Sequence, residues 1–211
     1  DWAILEGAAE WGVTVLQATS EFDGGPIWAY RRFAMRATTK SSLYRNEVTE
    51  AAVSAVCEAV TRVQRKDMHA PAHHELIDVL PRWRGPARQS DRQINWALDD
   101  TDTVLRKIAS ADGMPGIRHQ ICGVDLYLHN ASKADVRIDG TTPGEPVARS
   151  KTAIALATRD GAIWIGHMRL ASVDSAIKLP AARILAGRLE HLSLTHGPSD
   201  ISYEEVKHVG F

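Results

Sequence analysis

Cysteine is scarce in this chain: Cys57 and Cys122 are the only two among 211 residues. That is too few for a disulfide scaffold, and their apolar neighbours mark them as two free, buried thiols of a reducing compartment. Neither sign of charge dominates, with 25 lysines and arginines against 26 aspartates and glutamates. No strong overall field therefore draws in nucleic acid or an anionic membrane. No apolar run approaches the roughly 20 residues of a membrane-spanning helix. The opening Asp1-Trp2-Ala3-Ile4 has neither an initiator methionine nor the basic and apolar regions of a signal peptide. Together these absences indicate a globular, cytoplasmic protein that makes no membrane contact. At 44% hydrophobic the chain can bury one large core or two small ones.

What is present is organised around the stretch Gly12 to Arg36. Val13-Thr14-Val15-Leu16 reads as a β-branched strand buried on both faces, and Ile27-Trp28-Ala29-Tyr30 reads as a second strand. Between them Asp23 stands on a flexible tip. Gly24 and Gly25 can take positive φ at little cost, and Pro26 sets the backbone entering the next strand. These residues alone are compatible with a plain Asp-Gly hairpin. The alternative is that Asp23 handles a proton or orients a water at a strand end that a substrate can reach.

The rest of the chain reads in order as α/β followed by β. Trp2 to Ala9 forms a short helix. Ser41 or Ser42 caps a long helix to about Arg65, with Val48, Ala52, Ala55, Val56, Ala59, Val60 and Val63 as the apolar stripe that packs on a sheet. Residues 1–65 are thus the closing units of an α/β sheet. Pro71, Pro81, Gly85 and Pro86 break up residues 66–98, which read as a surface linker. A short helix spans Thr101 to Ala111. Val124 to Leu128, Ile154 to Ala157 and Ile163 to Ile165 then read as short strands of a small OB-like β-barrel over 99–175. Pro180 to Gly187 gives a last helical turn within a second linker, 176–200. Residues 201–211 look like an unpaired strand, and both chain ends suggest an excerpt of a longer protein.

Several of these pieces resemble the 10-formyltetrahydrofolate-dependent formyltransferases. They are Trp2-Ala3-Ile4-Leu5-Glu6-Gly7, Gly12-Val13-Thr14-Val15, Asp23-x-Gly25, Arg92-x-Ile94-x-Trp96 and Asp112-Gly113-Met114-Pro115-Gly116 with the strands that follow to Leu170. In that family a Rossmann-like catalytic domain precedes the barrel. Asp23-Gly24-Gly25-Pro26-Ile27-Trp28-Ala29, the run Lys40 to Thr49, and Ile177-Lys178-Leu179-Pro180-Ala181 are similar to the HypX/HoxX branch, the hydrogenase maturation factors. There a crotonase-like half follows, of which 201–211 would be the first strand. The resemblance implies transfer of the formyl group of 10-formyltetrahydrofolate to coenzyme A, release of carbon monoxide for a [NiFe]-hydrogenase, and hydrogenase maturation proteins as partners. It also makes Asp23 one member of a catalytic trio whose Asn and His precede this stretch, so the excerpt alone is expected to be inactive.

Weaker candidates remain. Arg45, one turn beyond Lys40 and Ser41, could hold coenzyme A phosphates near a helix start, or be a solvated helix arginine. His69, His73 and His74 have a metal-like look, but Pro71 interrupts them and no metal site is expected. Arg82-Trp83-Arg84 reads as arginine stacked on a structural tryptophan. His119, His129 and His167 read as satisfied barrel positions, and Trp96 and Trp164 as core. Two other readings stay open. One is a methionyl-tRNA formyltransferase-like enzyme, which the balanced charge disfavours. The other is a non-catalytic module whose barrel docks a partner or tethers two catalytic halves.

Overall fold

A computed structural model describes residues 1–67, 69–72, 84–136, 138–173 and 176–198. The strand read at 201–211, and His73, His74, Arg82 and Trp83, lie outside the described residues. The chain divides into one unit at Asp1–Ala87 and another at Arg88–Phe211. The dividing point falls inside the stretch read as a linker.

In the first unit the β-branched run after Gly12 does pair with the run after Pro26. Helix α1 (Trp2–Leu5) leads into β1 (Glu10–Leu16) and β2 (Ile27–Ala34), an antiparallel hairpin with Glu10 opposite Ala34 and a register shift between Val15 and Leu16. The expectation that β1 is buried on both faces is corrected. Glu10, Trp11, Gly12 and Thr14 are exposed, and Val13, Val15 and Leu16 only half-buried, because among the described residues the hairpin is covered on one face only.

That cover is a continuous helical run. It comprises α2 (Lys40–Leu43), a π-helical turn at Tyr44–Val48 and α3 (Thr49–Gln64). The cap is Thr39 rather than Ser41 or Ser42, its hydroxyl accepting from the Ser42 N–H at 3.2 Å. The packed face also differs from the expected stripe. Ala51, Ala55 and Ala59 are buried, Ala55 and Ala59 against Ala29 of β2, while Val53, Val56, Val60 and Val63 are exposed. Alanines at i, i+4 and i+8 share one face, and their size lets the helix lie close on the sheet. Cys57 falls on the outer side and is exposed, as is Cys122, so the thiols are free but not buried.

The second unit holds α4 (Gln89–Arg92), α5 (Thr101–Ser110), β3 (Ile117–Ile121), β4 (Val124–Ala134), β5 (Pro146–Arg149), β6 (Ile154–Ala157), β7 (Ala162–Leu170), β8 (Leu179–Pro180) and α6 (Ala181–Ile184). Among the described residues its named strands pair antiparallel, in the order β3-β4-β7-β6-β5 with β8 added to β7. Val104 and Ile108 of α5 pack with Leu126, Leu128, Leu156, Ile163, Ile165 and Leu185 in one core, which Ile94 and Trp96 also join. Trp164 and small alanines form a second core on the opposite face. Strand β4 changes face midway. Asn130 takes φ +53, opposite Gly166, whose Cβ would meet the Asn130 amide at 2.7 Å. That one left-handed residue turns Leu126 and Leu128 before it, and Ala131 after it, to the same core.

Two buried polar groups set the stability of this unit. Thr101, at the start of α5, donates its main-chain N–H and its hydroxyl to Asp160, both at 2.8 Å, and its oxygen lies 2.6 Å from that of buried Thr158. With the Thr101 proton committed to Asp160, Thr158 donates. Thr101→Val would leave the Thr158 hydroxyl buried without a partner, a cost of roughly 1–3 kcal/mol. Chemical denaturation should show that loss, and Thr101→Val/Thr158→Val should recover part of it.

His129 is the other group, and it corrects the reading of a satisfied barrel histidine. Its ring is fully buried, neither nitrogen has a hydrogen-bond partner, and it packs against Gly116, whose Cβ would lie 2.6 Å from Nε2. Burial first, then Lys178, holds its pKa down from 6.5 to about 4; Arg169 and His167 add to this and Asp112 opposes it. The folded ring therefore resists a proton that the unfolded chain accepts near pH 6.5. Its contribution is complete above that pH and is lost as the pH falls toward 4. Asp160, held below the usual carboxylate range by Thr101, loses its contribution only at lower pH still. Between pH 7 and pH 4.5 the melting temperature should fall on the order of 5 °C further in the wild type than in His129→Leu. Parallel pH profiles would show that the ring is not the titrating group.

Candidate functional site

The turn between β1 and β2 is built by one close main-chain approach. The Gln17 N–H donates to the Pro26 carbonyl at 2.9 Å, closing the base of the loop. Gly25, buried beside it, has no room for a side chain, since a Cβ there would sit 1.8 Å from the Gln17 oxygen. Gly24 is covered only by the flexible Glu21 side chain. Thr19 and Glu21 brace the outer limb, the Glu21 N–H donating to the Thr19 hydroxyl at 3.3 Å and that hydroxyl donating to the Glu21 carbonyl at 3.1 Å.

Asp23 stands at the tip. The residue with positive φ is Asp23 itself, at +55°, not Gly24 or Gly25 as the sequence suggested. Aspartate tolerates this conformation better than most side chains, and Gly25 is needed for space instead. The Asp23 carboxylate is exposed and makes no hydrogen bond or ion pair to the described residues. Phe22 beside it is 94% exposed. A free acid on a braced turn can accept a proton or hold a partner's imidazole or a water.

Arg45 lies within the π-helical turn, past the first turn of the helical run and not at its start. It is exposed and makes no ion pair to the described residues. No hydrogen bond or ion pair joins it to Asp23. Among the described residues no group of three or more His, Cys, Asp and Glu could hold a metal ion. His69 offers only its carbonyl, which accepts from Arg62. No described helix is long and apolar enough to cross a membrane.

Sequence reasoning missed a cavity of about 460 Å³ that follows β2 from Ile27 to Arg32. Arg31, Arg32, Arg62 and Glu58 line it, with Pro71 at one end, where the Pro71 carbonyl accepts from the Ile27 N–H at 2.8 Å. Arg62 lies 5.8 Å over the Trp28 ring and donates to the Trp28 carbonyl at 2.5 Å. Arg31 pairs with Glu58 and donates to the Ser54 hydroxyl at 3.0 Å. The available signal was two consecutive cations inside an otherwise apolar strand.

Comparison with known proteins follows the same two units. The family described as "Formyl transferase, C-terminal domain" matches residues 87–183. Over its whole length the chain is 49% identical to the hydrogenase maturation factor HoxX of Bradyrhizobium diazoefficiens, of which it covers 37%. It is 22% identical, over 90% of its length, to methionyl-tRNA formyltransferase of Nitrosospira multiformis, of which it covers 58%. Among solved structures, HypX from Aquifex aeolicus in complex with tetrahydrofolic acid superposes with a TM-score of 0.80 at 40% identity, covering 92% of this chain and 33% of HypX. A sugar 3N-formyl transferase, WlaRD, shares the fold at a TM-score of 0.54 and 17% identity, over 84% of this chain and 58% of its own. The chain thus spans about a third of the length of HoxX and HypX. The formyltransferase C-terminal domain at residues 87–183 and the end-to-end similarity to HoxX place the chain in the formyltransferase family, in its HypX/HoxX branch.

Proposed function

We infer that this chain supplies the Asp23 turn of a formyl-transfer centre. In that centre 10-formyltetrahydrofolate is the donor and the coenzyme A thiol the acceptor, and a crotonase-like half then releases carbon monoxide from formyl-CoA for a hydrogenase. The observation that carries the reading is the free Asp23 carboxylate held at φ +55 on a turn that Gly25 locks in place. The tetrahydrofolic acid bound by the related HypX supports a folate donor.

Attack of a thiolate on the formyl carbon builds a tetrahedral oxyanion, and the departing folate nitrogen must gain a proton. Asp23 would fix the orientation of an imidazole and of a water that carries that proton. The loop from Gln17 to Pro26 contains no Asn or His, so the oxyanion donors come from elsewhere in the complete enzyme. Arg45, exposed and uncommitted, would meet a coenzyme A phosphate. A scaffolding role fits the second unit, where Asp125 of β4 is paired with Arg118 of β3.

In the complete enzyme, Asp23→Asn should lower kcat for formyl transfer from 10-formyltetrahydrofolate roughly 100-fold with little change in KM. Gly25→Ala should be about as damaging, because its Cβ meets main chain, whereas Gly24→Ala meets only the Glu21 side chain and should keep most activity. The isolated 211-residue chain should show no turnover. An Asp23→Asn enzyme with full activity would remove the assignment.

A further inference from the structure

The tip of the acidic turn has no packing of its own. Phe22 is 94% exposed, Asp23 makes no hydrogen bond or ion pair to the described residues, and Gly24 carries no side chain. Asp23 nevertheless holds φ +55, a left-handed conformation that a free chain visits sparsely at residues other than glycine. The conformation of the tip is therefore imposed from its two ends, Glu21 and Gly25.

One side chain reaches both ends. The Thr19 hydroxyl donates to the Glu21 carbonyl at 3.1 Å and accepts from the Glu21 N–H at 3.3 Å. It closes on both main-chain groups of a single residue, a local turn that serine and threonine hydroxyls can make. The other branch of Thr19, its Cγ2 methyl, lies 3.3 Å from the place a Gly25 Cβ would take. Gly25 has its close approach to the Gln17 carbonyl as well. Among the described residues Glu21 has no main-chain hydrogen bond except those to Thr19. The outer end of the tip thus depends on the hydroxyl, and the inner end does not.

We propose that Thr19 is a positioning residue for Asp23, its hydroxyl clamping the Glu21 main chain so that the Asp23 carboxylate stays aimed at one place while remaining uncommitted. The clamp is one donated and one accepted bond, so it needs a hydroxyl. Valine has the same branched shape and cannot supply it, whereas serine can. The effect on the turn follows from these bonds alone; the effect on rate rests on the formyl-transfer reading above. Thr19 does not touch the reacting groups. It acts on kcat through the fraction of time Asp23 spends in the left-handed conformation, and a carboxylate that does not hold the substrate leaves KM unmoved.

The test compares Thr19→Val, Thr19→Ala and Thr19→Ser in the complete enzyme and in the 211-residue chain. Thr19 is exposed, so all three should keep the wild-type circular dichroism, and Thr19→Ala stands in for Thr19→Val if that variant does not. In the complete enzyme Thr19→Val and Thr19→Ala should lower kcat for formyl transfer about fivefold with KM unchanged, and Thr19→Ser should stay within about twofold of the wild type. Added to Asp23→Asn, Thr19→Val should cost less than about twofold more, because its effect passes through Asp23. In the shorter chain the NMR order parameter of the Asp23 amide should be about 0.85 in the wild type and Thr19→Ser, and fall below about 0.6 in Thr19→Val. Equal losses in Thr19→Val and Thr19→Ser, no loss in Thr19→Val, an undiminished loss in the Asp23→Asn background, or an unchanged order parameter would each overturn the clamp. Full activity in Asp23→Asn removes the formyl-transfer reading, and the order parameters then decide by themselves whether Thr19 holds Asp23. An inactive Asp23→Asn beside a fully active Thr19→Val removes only the clamp.

Discussion

The contact between Gly25 and the Gln17 carbonyl is the constraint on which the shape of the first unit's acidic turn depends. The distance leaves no space for even one methyl group, so the two limbs of the turn are pressed together just where β2 begins. With the limbs fixed, the tip has few conformations left to it, and Asp23 takes the left-handed one. The role proposed for Asp23 needs a carboxylate that is not mobile, and a ten-residue loop would ordinarily be mobile. Here rigidity comes from backbone contact, which leaves the carboxylate itself uncommitted.

Much of this was legible in the sequence, and the failures have physical causes. The turn, both hairpin strands, α5 and β6 could be read because β-branched runs, the helical spacing of Val104, Leu105 and Ile108, and Asp-Gly turns announce themselves locally. Burial was less legible. The stripe read for α3 included Ala55 and Ala59 but placed Val56, Val60 and Val63 with them and left out Ala51, because a hydropathy stripe ranks valine above alanine, whereas close helix–sheet approach at Ala29 selects the smaller side chain. The same geometry put Cys57 outside. β3 and β5 were missed because Arg118 and His119 dilute one strand and Pro146 opens the other, so neither shows a clean alternation. His129 could not be foreseen, since its neighbours come from Gly116, His167 and Lys178, all distant in sequence.

At the candidate site the sequence singled out Asp23 and not its setting. A family likeness pointed to Asp23, while the positive φ was assigned to the glycines that usually supply it. The arginine groove went unnoticed because its members are separated by thirty residues of chain and brought together only when α3 lies along β2. Similarity to HoxX and HypX extends across both units, although only the second matches the formyltransferase C-terminal family. The two units have therefore been kept together in proteins about three times as long.

The left-handed Asn130 opposite Gly166 has a consequence for how the second unit can vary. Because β4 swaps its inward and outward sides at that point, each half of the strand answers to its own pattern of large and small residues. A methyl group at Gly166 would press on the Asn130 amide and favour regular pleating. Ala131 would then turn out of the larger core and Ala134 out of the smaller one. One missing carbon atom lets a single strand belong to two differently patterned interiors.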